Sequence, residues 1–198
     1  MNFASIIDGV NEIAQATALE ILSKDISIDS LESLNEPIDK FGISAKDAPK
    51  GGLDETSRKE IKSETGWPDS IVESIRTSDE AQIYMDANLE VSNVDGKDCL
   101  VRSDIDYRQV IDGQTNLERM SEGKCPVAFD GQKIELHHIG QNPDAPLAEL
   151  TTEEHRGECN DLILHDKTIA ESKIDRITFR QERESYWRTR AEQIINEK

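Results

Sequence analysis

Two neighbouring stretches decide the fold, GQKIELHHIGQ at residues 131–141 and PLAELTTEEHRG at residues 146–157. The turn Asp130-Gly131 lies between two apolar stretches, and this pattern predicts a β-hairpin. His137 and His138 would then lie at or just after the end of the second strand. The sequence therefore places two adjacent imidazoles where a strand gives way to a loop.

The second stretch carries the start signal of a helix. Thr151 followed three residues later by Glu154 is the pattern of a capping box, in which each side chain bonds to the backbone N–H of the other residue. His155 therefore lies about one turn inside a predicted helix. The region as a whole predicts a hairpin, a loop and a helix, with histidines on the second strand and on the helix.

Histidine occurs at four positions in the chain, and all four lie between His137 and His165. Histidines that only decorate a surface would be scattered. Neutral imidazole is the commonest metal ligand and titrates near pH 7, so the cluster favours a metal site or an acid–base site. Taken one at a time, each histidine also has an ordinary structural or solvated interpretation.

Backbone geometry restricts how the adjacent pair can act. Neighbouring side chains on a regular strand point to opposite faces, so His137 and His138 cannot both enter one cavity while the strand stays regular. If the strand ends there, one ring can face a metal and the other the substrate bound to it. His155 and His165 could complete a set of three nitrogen ligands with open positions, which is typical of catalytic sites. A structural zinc ion held by all four histidines is the alternative.

Composition limits the class of protein. The chain has 198 residues, of which 41 are acidic and 23 basic, for a formal net charge of −18. This length fits one domain or two small ones, and no apolar run reaches the roughly 20 residues of a membrane helix. The three cysteines contain no CxxC pair, so neither a disulfide framework nor a thiolate zinc site is predicted. So acidic a chain repels nucleic acid unless positive charge or a metal is concentrated locally.

The acidic N-terminal part is predicted to be separate from the rest. Apolar residues at helical spacing predict a helix over residues 3–23, and the Pro49–Gly52 stretch predicts a linker. We therefore expect an acidic helical segment at residues 1–50 and a second domain at residues 51–198. The N-terminus lacks the pattern of a signal peptide, so any export is expected to use another route.

The second domain mixes short helices, short strands and one long helix. Trp67, Tyr186 and Trp187 are interpreted as core aromatics, because large aromatic side chains dominate protein cores. Three short helices are predicted, at Leu53–Ile61, at Ser70–Ile75 with Asp69 as N-cap, and from Ser78 onward. β-like runs follow within Glu90–Ile105 around a turn at Asn93–Gly96. The last predicted element is a long amphipathic helix at Ile174–Ile195.

Further motifs flank the histidine region. TNLERM at residues 115–120 precedes it together with Gly123 and Pro126, and a segment from Phe179-Arg180 to Tyr186-Trp187 follows it. Together with the two histidine stretches, these motifs resemble the LHH branch of the HNH/endonuclease VII nucleases over about residues 100–190. The resemblance implies an α+β fold in which a ββα-metal finger is embedded in a mostly helical domain.

The resemblance also implies roles for the four histidines. His137 would be a metal ligand and His138 the general base. His155 and His165 would complete the ligand set around one divalent ion, such as Zn, Mg, Mn or Ni. In the wider superfamily the helix ligands often lie four residues apart, whereas His155 and His165 are ten apart.

Charged side chains near the histidines are secondary candidates. Arg156 could contact a phosphate oxygen and act in catalysis, or it could be an ordinary solvent-facing arginine. Glu135 could orient a histidine through a hydrogen bond, or it could be an exposed strand carboxylate. A basic series on the last helix could track a nucleic-acid backbone, or be a solvated face paired with Glu182 and Glu184. The series comprises Arg176, Arg180 and Arg183 on one face, with Arg188 and Arg190.

The function implied by the resemblance is a metal-dependent, largely non-specific DNA endonuclease acting as a bacterial toxin or effector domain. Domains of this branch occur widely at the C-terminus of polymorphic toxins, so a cognate immunity protein is the expected partner. Delivery would be non-classical or through a fused system, with action in the cytoplasm of a target cell. The alternatives are a phage or housekeeping endonuclease of the same family, and a metal-stabilised interaction module without catalysis.

Overall fold

The computed structural model describes residues 52–157, 159–168 and 174–196. Helices and strands are mixed along these residues, which confirms the predicted α+β class. The helix predicted over residues 3–23 and the acidic segment at residues 1–50 lie outside the described residues, so the domain boundary near residue 50 stays a prediction. Within the described ranges, no helix combines the length and the apolar character needed to cross a membrane.

Three short helices precede the first strand: α1 (Glu55–Thr65), α2 (Asp69–Val72) and α3 (Ser78–Asp86). The side chain of Asp54 caps α1 by accepting a hydrogen bond from the N–H of Ser57. All three helices were predicted, but the N-cap of α2 was predicted wrongly. Pro68 is the N-cap residue, and Asp69 is the first helical residue, accepting a bond from the ammonium group of Lys62 at 2.6 Å instead.

Four strands form a mixed sheet, and two short strands form a separate antiparallel pair. The strands are β1 (Glu90–Val94), β2 (Lys97–Val101), β3 (Val110–Ile111), β4 (Gln114–Thr115), β5 (Ile134–His138) and β6 (Leu147–Thr151). In the larger sheet the order is β1-β2-β6-β5, with β2 and β6 parallel and both outer pairs antiparallel. The β1–β2 hairpin, with Asp95 and Gly96 in its turn, confirms the predicted turn at Asn93–Gly96.

The hairpin predicted across Asp130-Gly131 forms, but it is short. Val127 pairs with Lys133 in an antiparallel bridge, the N–H of Ala128 donates to the carbonyl oxygen of Gln132 at 2.8 Å, and the N–H of Ile134 donates to that of Pro126 at 3.0 Å. Pro126, just before the bridge, has no N–H to extend a ladder. Strand β5 also pairs with β6 over its whole length, and Leu147–Thr151 is fully buried.

Helices cover both faces of the larger sheet. Helices α1, α2 and α3 pack with Leu100, Ala148 and Leu150 on one face, together with Leu164. On the opposite face, Leu136 and Leu147 pack against residues of the last helix. The remaining helices are α4 (Asn116–Ser121), α5 (Thr152–Arg156), α6 (Asn160–Leu164) and α7 (Arg176–Asn196).

The long predicted helix is present as α7, although its apolar face was predicted too broadly. Tyr186 and Trp187 are buried in the core, as is Trp67 elsewhere in the chain, which confirms these three aromatic predictions. Ile177 was placed on the apolar face but is 73% exposed, because it lies in the first turn of the helix, away from the packed C-terminal half. The sheet contacts α7 mainly through its later turns.

Arg190 does not belong to an exposed basic series. It is buried, and its Nε donates to Oε1 of Glu149 at 2.9 Å, an oxygen that also accepts from the hydroxyl of Tyr186 at 2.8 Å. A buried carboxylate needs such partners, because an uncompensated buried charge is costly. Arg190 is therefore part of the core of the domain rather than of a nucleic-acid surface.

Candidate metal centre

The histidine pair ends a regular strand. His137 pairs with Ala148 and His138 with Leu147, so β5 keeps its alternation up to its last residue. The two rings consequently point to opposite faces of the sheet. His137 faces the side of α3, α5 and α6, whereas His138 faces α7.

Three imidazoles converge on the His137 side. The ring centroids are 5.0 Å apart for His137 and His155, 5.2 Å for His137 and His165, and 4.9 Å for His155 and His165. Nδ1 of His137 lies 3.1 Å from Nε2 of His155. One ring nitrogen from each residue lies within 4.8 Å of the others, so the three form a group able to hold a metal ion. We refer to His137, His155 and His165 as the histidine triad.

Two short helices deliver the second and third members of the triad. The capping box of Thr151 and Glu154 forms as predicted and starts α5, which carries His155. The chain then turns near Gly157 and makes a second short helix, α6, whose C-cap residue is His165. Because the turn and α6 separate the two ligands, they lie ten residues apart in sequence and still reach one point in space.

Carboxylates lie behind the imidazoles of the triad. Nδ1 of His155 donates to Oε2 of Glu135 at 2.7 Å, and Nδ1 of His165 lies 2.9 Å from Oδ1 of Asp161. Carboxylates only accept hydrogen bonds when ionised, so these contacts place a proton on Nδ1 and leave Nε2 with its lone pair. Nε2 of His137 faces the buried carboxylate of Glu80 at 3.9 Å.

Burial keeps the triad neutral. Desolvation lowers the pKa of His137 and of His165, and burial together with the nearby ring of His137 lowers the pKa of His155 to about 4. Burial alone would raise the pKa of Glu135, but its bonds with Arg156 and His155 outweigh burial and lower it. Neutral imidazoles in front of ionised carboxylates are the protonation states that metal binding requires.

The triad fits a divalent metal ion. Two nitrogens bound to one tetrahedral ion at about 2.0–2.1 Å lie roughly 3.3–3.4 Å apart, close to the 3.1 Å between His137 and His155. The donors are all imidazole nitrogens, which suit zinc, copper, iron and nickel. The histidine triad therefore has the donor chemistry and the neutrality of a three-nitrogen metal site, and His137 and His155 also have its spacing.

His138 lies apart from the triad. Its Nε2 lies 3.0 Å from Oε2 of Glu182 on α7, and its ring stacks at a tilt on Phe179 with 4.4 Å between centroids. Burial is the main cause that lowers the pKa of His138, with Glu182 acting in the opposite direction. Nδ1 of His138 is buried and has no hydrogen-bond partner in the described structure. The side chain is thus held by one nitrogen, while the other is buried and unpaired.

Arg156 and Glu135 form one contact beside the triad. Nε of Arg156 donates at 2.7 Å to the same Oε2 atom of Glu135 that accepts from His155. The Arg156 side chain is 58% exposed, so its guanidinium lies at the surface next to the triad. Glu135 is therefore a partner of a histidine, as one of its two interpretations predicted, whereas the catalytic role of Arg156 stays a prediction.

Comparison with known proteins agrees with this geometry. A family model described as LHH, a nuclease of the HNH/ENDO VII superfamily with conserved LHH, matches residues 115–193. Residues 115–193 belong to the LHH nucleases. No solved structure matches the chain. The predicted family is confirmed, and with it the identification of the protein as a phosphodiester hydrolase.

The LHH nuclease segment contains the elements that carry the histidines. The conserved tripeptide is Leu136-His137-His138 at the end of β5, and the same segment includes β6, α5, α6 and nearly all of α7. Strands β5 and β6 followed by α5 lie in the order ββα, whereas the sequence had placed the hairpin across Asp130-Gly131. Nucleases of this superfamily use a metal ion, and the histidine triad is where this LHH nuclease could bind one.

Sequence reasoning missed two carboxylates that contact histidines of the LHH nuclease. Glu80 was interpreted only as part of a helix start, and Glu182 only as a possible partner of surface arginines. Both act on residues far away in the chain, so local patterns give no signal for them. Asp161 was also missed, although it lies four residues before His165 and this spacing brings helical neighbours together.

Proposed function

We propose that this LHH nuclease is a metal-dependent DNA endonuclease with little sequence preference, which acts as a bacterial toxin or effector domain. The observation that carries the proposal is the division of the histidines. Three converge through nitrogens within 4.8 Å of one another, while the fourth lies on the other face of the same strand with one nitrogen unpaired. Because the two rings point to opposite faces of a regular strand, the base role of His138 also requires that the end of β5 rearrange so that this ring reaches the substrate at the metal.

The histidine triad would hold the metal ion. A divalent ion bound there supplies Lewis-acid polarisation of a phosphoryl oxygen and stabilises the leaving oxygen. Glu135 and Asp161 hold His155 and His165 by their Nδ1 atoms, so the imidazoles present Nε2 without having to reorient.

His138 would act as the general base. The ionised carboxylate of Glu182 accepts from Nε2–H, so Nδ1 is the atom left to take a proton from the attacking water. Only about 2% of His138 is exposed, and Nδ1 is enclosed. The role therefore requires that substrate binding uncover this nitrogen, and the ring of Phe179 is one of the groups that lie against it.

Positive side chains beside His138 would bind the substrate backbone. Arg176, Arg180 and Arg183 are exposed on α7 and share one face of the helix. The guanidinium carbon of Arg183 lies 5.0 Å from the centroid of the Phe179 ring, which in turn contacts His138. Arginines of this kind contact phosphates and carry no base information, which supports cleavage with little sequence preference.

Biological use as a toxin domain follows from the resemblance to toxin C-terminal domains. We propose delivery by a non-classical or fused system and action in the cytoplasm of a target cell. The formal charge of −18 would suit a cognate immunity protein with basic patches. Expression of the wild type in bacteria should stop growth, and the His138→Ala variant should be tolerated. Equal growth with both proteins would contradict the toxin proposal.

Plasmid cleavage tests the enzymatic proposal directly. Purified protein is stripped with a chelator and then incubated with supercoiled plasmid, single-stranded DNA or RNA, with Zn²⁺, Mg²⁺, Mn²⁺ or Ni²⁺ added singly. We expect DNA cutting that depends on an added ion and yields a smear rather than discrete bands. Cutting of RNA alone would overturn the choice of DNA. Metal binding without cutting of any nucleic acid would favour the interaction module.

A further inference from the structure

A buried carboxylate from outside the LHH segment lies behind the first histidine of the triad. Glu80, on α3, is fully buried. Its Oε1 accepts from the hydroxyl of Tyr84 and from the N–H of Gly140, both at 2.7 Å, and its Oε2 accepts from the N–H of Arg76 at 2.9 Å. A carboxylate with this many donors is fixed in position, and the donors compensate for the loss of water.

His137 presents an unpaired nitrogen to this carboxylate. Nε2 of His137 is buried without a hydrogen-bond partner in the described structure, and Oε1 of Glu80 lies 3.9 Å from it. The other ring nitrogen, Nδ1, faces His155 inside the triad. We propose that Glu80 is a positioning residue of the metal centre, which holds the proton of His137 on Nε2 and so turns the lone pair of Nδ1 toward the ion. This inference rests on the proposed role of the triad.

The charge of Glu80 supports this role. The hydroxyl of Tyr84 and the N–H groups of Gly140 and Arg76 all donate to its two oxygens, an arrangement that suits the ionised carboxylate. An anion near Nε2 stabilises the tautomer that carries its proton on Nε2, because that N–H points toward the anion. It destabilises the tautomer protonated on Nδ1, in which a lone pair on Nε2 points toward the anion. The distance of 3.9 Å is long for a hydrogen bond, so the effect is mainly electrostatic.

The approach of Gly140 depends on the absence of a side chain. Gly140 has a φ of 68° and is the second residue after the LHH tripeptide. A Cβ atom at this position would overlap the carbonyl oxygen of Ser74. The loop after β5 can therefore lie against the segment before α3, and this contact lets the N–H of Gly140 reach Glu80.

The same segment also contacts the chain beside the third histidine. Nη2 of Arg76 donates to the carbonyl oxygens of Ile163 at 2.8 Å and Leu164 at 3.0 Å, immediately before His165. Residues 76–80 thus fix the surroundings of two members of the triad, although they lie outside the matched residues 115–193. The complete metal centre would extend beyond the LHH segment to α3.

Metal affinity of the full chain tests the proposal. The affinity of the chelator-stripped protein for Zn²⁺ is measured by competition with a chromophoric chelator, for the wild type and for Glu80→Gln. We expect the affinity to fall about 10–100-fold, the range typical for loss of an outer carboxylate. Glu60→Gln is the matched control, because it removes the charge of an exposed glutamate on α1, and its affinity should stay within about twofold.

The tautomer of His137 gives a second measurement that does not depend on a variant folding. Imidazole ¹⁵N shifts of the Zn²⁺-loaded wild type should show the proton of His137 on Nε2 and the metal on Nδ1. A proton on Nδ1 would overturn the proposal, as would wild-type affinity in a folded Glu80→Gln protein. The His137→Ala variant distinguishes failure of the metal site from failure of the role of Glu80. If His137→Ala binds Zn²⁺ like the wild type, the triad is not the metal site. If His137→Ala loses Zn²⁺ binding while Glu80→Gln keeps it, the triad stands and only the proposed role of Glu80 is rejected.

Discussion

The carboxylate of Glu135 accepts the Nδ1 proton of His155 at 2.7 Å across the β5–α5 interface. The bond fixes the ring of His155 with Nε2 toward the other imidazoles and increases its basicity as a ligand. The sequence allowed either this contact or an exposed carboxylate for Glu135, and neighbouring Arg156 shares the same oxygen. One oxygen therefore organises both a triad histidine and the arginine at the edge of the site.

Glu135→Gln should lower metal affinity about 10–100-fold, because an amide is a weaker acceptor for the His155 proton and carries no charge. Isothermal titration with Zn²⁺ measures the change. Glu153→Gln, an exposed glutamate on α5, is the matched control and should leave the affinity unchanged. Unchanged affinity in Glu135→Gln would show that the contact has no influence on the ion.

Substitution of single histidines should separate metal binding from proton transfer. His138→Ala should lower cleavage about 10²–10⁴-fold, the usual contribution of a general base, and should retain metal affinity. His137→Ala should lose both, because its ring belongs to the triad. Cleavage rates and metal content of the purified proteins are the two measurements. Loss of bound metal in His138→Ala would contradict the assigned division of roles.

The sequence predicted what depends on neighbouring residues. The capping box at Thr151 and Glu154 is complete within four residues, and the start of α5 was therefore predicted correctly. The short hairpin at Asp130-Gly131 was predicted correctly from its turn, whereas the pairing of β5 with β6 was not predicted, because it depends on the burial of a strand further along the chain. Local turn signals state where a chain reverses, but they do not state which strand it then joins.

Long-range contacts explain the remaining differences at the site. Arg180 and Arg190 have the same chemistry, and only the packing of α7 on the sheet makes one exposed and the other a buried partner of Glu149. Glu80 lies in an ordinary helix start, and its importance depends on a strand more than fifty residues later. The histidine cluster was predictable because its members are close in sequence as well as in space.

Loss of the cap of α5 should affect both stability and the metal centre. Thr151→Ala should lower the free energy of unfolding by about 1 kcal/mol and also weaken metal binding, because α5 carries His155. Thr115 forms an equivalent capping box at the start of α4. Thr115→Ala should show a similar loss of stability without a change in metal affinity. Urea denaturation and Zn²⁺ titration distinguish the two variants, and equal effects on affinity would contradict this account.

The pair of Asp104 and Arg102 should make stability depend on acid pH. The hydrogen bond from Arg102 lowers the pKa of Asp104, and burial opposes it only in part. Because the folded-state pKa is below the unfolded value of about 3.9, the stabilisation is present above that value and is lost as pH falls through the folded pKa. Asp104→Asn should thus be less stable than the wild type near neutral pH.

The difference between these two proteins should disappear once the pH has fallen below the folded-state pKa of Asp104, where the wild-type carboxyl is protonated as well. Urea denaturation of the metal-free proteins over this pH range measures it. The effect should be small, since the Asp104 side chain is 65% exposed. A difference that persists unchanged at low pH would show that Asp104 stabilises the fold through contacts other than its charge.

The exposed arginines of α7 should contribute to nucleic-acid affinity through charge alone. Removing one arginine that binds a phosphate should reduce the slope of log affinity against log salt by about 0.9 on duplex DNA. Combined replacement of Arg176, Arg180 and Arg183 by alanine should therefore weaken DNA binding and flatten this slope, with little change in sequence preference. Fluorescence anisotropy with the cleavage-impaired His138→Ala protein as background measures both quantities. The control is Arg108→Ala, which removes an exposed arginine outside α7. An equal loss of DNA affinity in this control would show that net charge, rather than the α7 face, determines DNA binding.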